Sequence, residues 1–220
     1  MSRVMVLREM IERSANELRQ TSALATLVKQ GKITPRAIAL YLESLRYLFS
    51  HSPELLRAAA QRSDALGRAG LGNYFRAKVH EEQGHDNWAS SDLARLPTSI
   101  TAGIRPAQAV VQLVELQRAM IARDPMCYAA YVLWAEYLTA LLGAEWLAAL
   151  AAFGYSKEQL SSVAKHLDAD REHAPRGFEE IDSVWQAEPC TAVVIEGVED
   201  ASRLFRGFCD EICAEAQRAA

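Results

Sequence analysis

Glycine and proline are sparse in this chain, 11 and 7 of 220 residues, and no stretch is of low complexity. Nothing therefore reads as an interdomain linker, and the length suits a single domain over residues 1–220 with a sizeable core. Basic residues are not in excess either, with a formal charge of −4 and a pI of about 5.8. That balance gives no electrostatic footprint for nucleic acid or for an anionic membrane, and neither is expected as a partner. No apolar run approaches the roughly 20 residues of a spanning helix, because Glu136 and Glu145 interrupt the longest candidates. The first nine residues, Met1 to Glu9, lack the apolar stretch and cleavage site of a signal peptide, so a cytoplasmic address is expected. Cysteine is confined to Cys127, Cys190, Cys209 and Cys213, without paired zinc-finger spacing. Disulfides are not expected, and Cys209 and Cys213, one helical turn apart, read as core thiols.

What is present is helical periodicity. Val4, Leu7, Ile11, Leu18, Leu24 and Leu27 recur at helical spacing up to Gly31. Thr34-Pro35 reads as a cap and first turn, and Ser52-Pro53 as the start of a further helix. A break at Gly70 and Gly72 precedes a helix over about 73–93, and residues 97–106 form a loop. Residues 107–122 are helical, Asp124-Pro125 restarts the chain, and 126–142 is apolar on nearly every face except at Glu136. Gly143 is expected to kink or break that segment, Ser156 to cap the next helix, and Pro175 to bend or end it. Pro189 opens a last segment, and 199–216 is amphipathic; the β-like run Val193-Val194-Ile195 is too short for a sheet. The fold expected is an all-α bundle of seven or eight helices.

Four of the five histidines fall in two clusters. In Lys165-His-Leu-Asp-Ala-Asp-Arg-Glu-His173 a helical advance of about 100° per residue puts His166, Asp170 and His173 within roughly 60° of one another, with Asp168 and Glu172 outside that arc. In His80-Glu-Glu-Gln-Gly-His85, Glu82 and His85 form Glu-x-x-His, the i, i+3 pairing by which helix bundles hold iron or manganese. Glu136 supplies a lone carboxylate in an apolar helix, costly unless a cation or a metal offsets it. The six candidates Glu82, His85, Glu136, His166, Asp170 and His173 form a mixed nitrogen and oxygen set without thiolate. Such a set suits two iron ions, or manganese, rather than zinc or calcium. The plainer readings are a solvated helix face for Glu82 and His85, and an arginine partner for Glu136.

These motifs, with Gly31-Lys-Ile-Thr-Pro-Arg-Ala-Ile-Ala-Leu-Tyr-Leu42, resemble the haem-oxygenase-like di-iron oxidases and oxygenases over about residues 15–185. The resemblance implies a seven-helix fold holding two labile non-haem irons. It implies dioxygen as co-substrate and the oxidation of a small amino-acid-derived or fatty-acid substrate by an iron-dependent oxidoreductase. Carried over, Glu82 and His85 come from one helix, Glu136 from the next, and His166, Asp170 and His173 from a third. Some members place the first glutamate seven residues before the first histidine, a position held here by Lys78, so neighbouring Glu81 competes with Glu82 as ligand. An external electron donor and a homodimer are further expectations.

The same fold hosts other chemistry. Haem oxygenases ligate haem through a histidine in the first helix, and no histidine precedes His51 here. Thiaminase-type hydrolases pair a cysteine with a tyrosine four residues on, which Cys127 and Tyr131 match, but Ser44 stands where their aspartate is expected. That metal-independent hydrolase, a cofactor-free relative, or a non-catalytic helical interaction module is the alternative.

Overall fold

The computed structural model describes residues 2–185 and 191–218. Pro189 and Cys190 lie outside the described residues. Among those described, the elements are all helices: α1 (Arg3–Thr21), α2 (Ala23–Lys29), α3 (Pro35–Ala65), α4 (Ala69–Glu82), α5 (His85–Ala94), α6 (Thr98–Thr101), α7 (Gln108–Arg123), α8 (Pro125–Ala152), α9 (Ser161–Trp185) and α10 (Thr191–Arg218). The Val193-Val194-Ile195 run is part of α10.

The helix ends show which local signals prevailed. Thr34 caps α3, its hydroxyl accepting from the Ala37 N–H at 3.3 Å with Pro35 in the first turn. The N-terminal apolar segment is two helices, because the Ser22 hydroxyl accepts the Ala25 N–H and starts α2 afresh. Ser52-Pro53 does not start a helix; α3 runs through it. Only the bond that Pro53 would donate toward Phe49 is lost, and α3 as a whole packs on α4 and α5, with Leu55 and Leu56 buried just beyond the proline.

Gly143 does not break α8 either. A Cβ there would lie 2.9 Å from Leu167 Cδ1, so the missing side chain lets α8 and α9 approach closely. Pro175 likewise lies inside α9. The break expected at Gly70 and Gly72 occurs just before them, where Gly67 has φ +72°. A second one divides the helix expected over 73–93: Gly84, at φ +89°, separates α4 from α5.

Two buried clusters hold the bundle together. One joins α1, α4, α8 and the end of α9 through Leu7, Ile11, Phe75, Tyr128, Trp134 and Trp185. The other joins α3, α9 and α10 through Ile38, Leu42, Val163, Phe208 and Ile212. Each of these large side chains contributes about 2–3 kcal/mol by leaving water. Helix α8 is long and apolar enough to cross a membrane by length and composition, despite Glu136 and Glu145, and 67% of its most apolar stretch is buried inside the bundle. Its apolar character on all faces is thus met by the neighbouring helices. Cys127, Cys209 and Cys213 are buried thiols.

Candidate metal centre

The ends of α4 and α5 and the middles of α8 and α9 converge below the Phe49 turn of α3. Helix α9 is set in place by a residue far away in sequence. The buried Asp92 carboxylate of α5 accepts the Ser162 N–H at 2.7 Å and the hydroxyls of Ser161 and Ser162 at 2.7 and 2.6 Å. It therefore caps the helix that presents His166, Asp170 and His173; Ser156 caps only the turn before it, accepting from the Gln159 N–H.

Among the described residues two groups of ligand-type atoms result, each within 4.8 Å: Glu82, His85 and His166, and Glu81, Glu136 and His173. Glu82 and His85 are not on one continuous helical face, since Gly84 turns the chain between them, yet Glu82 Oε2 still lies 3.2 Å from His85 Nδ1. The pair is close without the alignment of a hydrogen bond, and His85 Nδ1 is buried without a hydrogen-bond partner. His166 Nδ1 lies 2.9 Å from the Ser162 carbonyl, to which it donates, leaving Nε2 as an acceptor that is buried and unpartnered. Phe49 stacks on the His166 ring at 4.1 Å and Trp88 on the His85 ring at 4.2 Å, fixing both planes.

In the second group Lys78 Nζ donates to Glu136 Oε1 at 2.6 Å and to Glu81 Oε2 at 2.8 Å, while Arg176 takes the other oxygen of Glu81. His173 Nδ1 is 3.8 Å from Glu81 Oε2. Thus Glu81 and Glu82 do not compete for one role; each belongs to its own group. The cation expected to offset Glu136 is present as a lysine.

Asp170, buried between the groups, is a member of neither. Burial first, then the carboxylates of Glu136 and Glu82, raise its pKa to about 9, against a smaller pull from the Thr139 hydroxyl. It is therefore a neutral acid at pH 7. Burial raises Glu136 to about 7, Lys78 pulling the other way. Burial also lowers His166 to about 4, which leaves its imidazole neutral and able to bind a cation. Burial works against ionisation of Glu82, yet contact with His85 and the field of His166 outweigh it and hold the carboxyl below its usual range.

An apolar cavity of about 390 Å³ reaches this region, with Glu82, Glu136, His166 and Asp170 at its polar end and Leu45, Leu48, Tyr131 and Trp134 among its walls. Two anchors of the centre, Lys78 and Asp92, were not visible as such in the sequence. Each stands among other polar and charged residues of α4 and α5, so residue type alone does not single it out.

No family model and no curated protein matches the chain. Solved structures do. A domain of unknown function from Shewanella denitrificans, described as having a heme oxygenase-like fold, superposes with a TM-score of 0.80 at 19% identity over 97% of this chain and 93% of its own. The fold is haem-oxygenase-like. Within that fold the chain is also similar to a CADD-like protein of unknown function from Nostoc punctiforme, at TM-score 0.68 and 14% identity over 96% and 99% of the two chains. A TenA homolog from Pseudomonas syringae gives 0.67 and 12% over 94% and 92%. At these identities the likeness concerns the fold.

Of the residues of the thiaminase-type alternative, Tyr131 lines the cavity, whereas Ser44 and Cys127 lie away from it. Ser44 is fully buried, donating to the Leu40 carbonyl at 2.7 Å and accepting the Ala107 N–H at 2.9 Å, which ties α3 to the start of α7. Cys127 is not among the residues lining the cavity and packs toward Gly197 of α10.

Proposed function

We propose that this protein is a non-haem iron-dependent, oxygen-activating oxidoreductase acting on a small, largely apolar organic molecule. The carrying observation is the pair of buried imidazole nitrogens without a hydrogen bond, His85 Nδ1, 3.2 Å from the Glu82 carboxylate, and His166 Nε2, with Glu82 and His166 lining the end of the cavity. Two imidazoles and one carboxylate are the donor set that non-haem iron(II) oxygenases use, and manganese suits the same donors. Orphaned polar atoms in a core cost about 1–3 kcal/mol each, a penalty that coordination removes.

Glu82, His85 and His166 would hold the ion, which when bound supplies the reduction of dioxygen, with electrons from the substrate or an external donor. The chain's own residues do the rest. The Ser162 carbonyl holds the Nδ1 proton of His166 so that Nε2 faces the site. Phe49 and Trp88 shield the imidazoles from water. Asp170, at the cavity end, would hold a proton on its carboxyl and would serve as a general acid there. The apolar walls favour a hydrocarbon portion such as a fatty-acid chain or an aromatic amino-acid side chain, with little polar recognition away from the site.

The test is anaerobic Fe(II) addition followed by oxygen, recording iron retained after desalting and oxygen consumed. Wild type should retain iron and consume oxygen, whereas His166→Ala and Glu82→Gln should lose both. No iron uptake by wild type, or uptake indifferent to both substitutions, sinks the proposal.

A further inference from the structure

Lys78 projects from α4 and is 1% exposed, a position in which an ammonium requires anionic partners. It has two, Glu136 Oε1 at 2.6 Å and Glu81 Oε2 at 2.8 Å. Those carboxylates belong to the second group of ligand-type residues, with His173. A divalent ion bound there would sit about 2.1 Å from the same oxygens, in effect where Nζ already is. Two cations at that separation inside a protein repel by several kcal/mol even at an effective dielectric near 20. The other oxygen of Glu81 is occupied by Arg176, so both oxygens of that carboxylate are committed to cations of the chain. The first group differs: among the described residues no lysine or arginine forms an ion pair with Glu82, whose partner is His85.

We infer that the Lys78 ammonium is the resident cation of the Glu81–Glu136–His173 group, so that each chain takes one metal ion, at Glu82, His85 and His166, and not two. The electrostatics are self-consistent. Exchanging a carboxylate for an ammonium at this position, seven residues before His85, changes the local charge by as much as one divalent ion would. The group is thereby neutralised without a metal, and Glu136 is held by a hydrogen bond in place of a coordination bond. Lysine is a compact point charge on a flexible stem, able to reach two carboxylates at once. The inference rests on the metal-binding reading of the first group, but the two fail separately.

The experiment is anaerobic loading of the chain with Mn(II), desalting, elemental analysis of metal per chain, and electron paramagnetic resonance. Wild type is expected to hold one ion with the six-line signal of an isolated Mn(II). Lys78→Glu is expected to hold two, with an exchange-coupled signal, and Lys78→Gln to exceed one because the group is opened without a new ligand. Circular dichroism of each variant checks its fold, and the wild-type stoichiometry decides the matter even where a variant unfolds. Two ions per wild-type chain overturn the inference while leaving metal binding intact. So does a single ion that survives His166→Ala and is lost in Glu81→Gln, or a folded Lys78→Glu that still holds one. Absence of metal from both wild type and folded Lys78→Glu instead overturns the metal-binding reading itself.

Discussion

The carboxylate of Asp92 lies 2.7 Å from the backbone nitrogen of Ser162, joining the last turn of α5 to the first turn of α9 across seventy residues of chain. Because α9 carries His166 and α5 begins at His85, this one cap fixes the distance between two imidazoles of the site. Asp92→Ala should destabilise the protein by ~2–3 kcal/mol in urea unfolding, more than an exposed cap because Ser161 and Ser162 lose a buried partner. It should also weaken metal affinity about tenfold or more, by analogy with residues that orient ligands without touching the ion. Unchanged affinity would show that α9 is positioned by its apolar face alone.

Gly84 adopts φ +89° directly between Glu82 and His85. Any side chain there strains the backbone, so Gly84→Ala should cost ~1–2 kcal/mol. The strain falls where the carboxylate and the imidazole must meet, so thermal unfolding and metal titration should deteriorate together. An unaltered melting temperature would contradict the left-handed turn.

Burial and the neighbouring carboxylates push the Asp170 carboxyl from its ordinary 3.8 up to about 9 in the folded protein. Over that window the native state holds a proton that the unfolded chain has released, so apo stability falls as pH rises through it. Asp170→Asn removes the ionisable group and should flatten that slope, making the apo variant more stable than wild type by ~2 kcal/mol at pH 8. His166 acts in the opposite sense: with its value near 4 against an ordinary 6.5, it withdraws stability as pH falls between those values. Denaturant titrations across pH 4–9 check both. A slope identical in Asp170→Asn and wild type would contradict the buried neutral acid.

Ala135 lines the cavity on the same helix as Glu136. Ala135→Phe should occupy part of the 390 Å³ space and weaken binding of a fluorescent fatty-acid probe about tenfold, while metal uptake is retained. Equal probe binding in variant and wild type would place the substrate elsewhere.

Much of this architecture was legible in the sequence because it depends on local chemistry. Thr34 and Pro35 declare the start of α3, and the spacing of His166, Asp170 and His173 declares one helical face. Pro53, Gly143 and Pro175 do not end their helices, because the usual effect of such breakers is weighed against the packing of long helices that run on through them. The site was legible in its residue types but not in its partition. That Glu81 and Glu82 face different partners reflects local features, the turn at Gly84 and the i, i+3 contact of Lys78 with Glu81, together with the long-range approach of Arg176, and only the last is hidden from the sequence. Lys78 stands out in the sequence only as the occupant of a glutamate position; its role as a cation shows once Glu136, fifty-eight residues later, is brought against it.

The most direct measurement is anomalous diffraction at the iron edge from crystals soaked with Fe(II) without oxygen. The account predicts one anomalous peak per chain, within bonding distance of Glu82, His85 and His166, with Lys78 still bridging Glu81 and Glu136. A peak between Glu81 and Glu136 with Lys78 displaced, or no peak at either place, would contradict it.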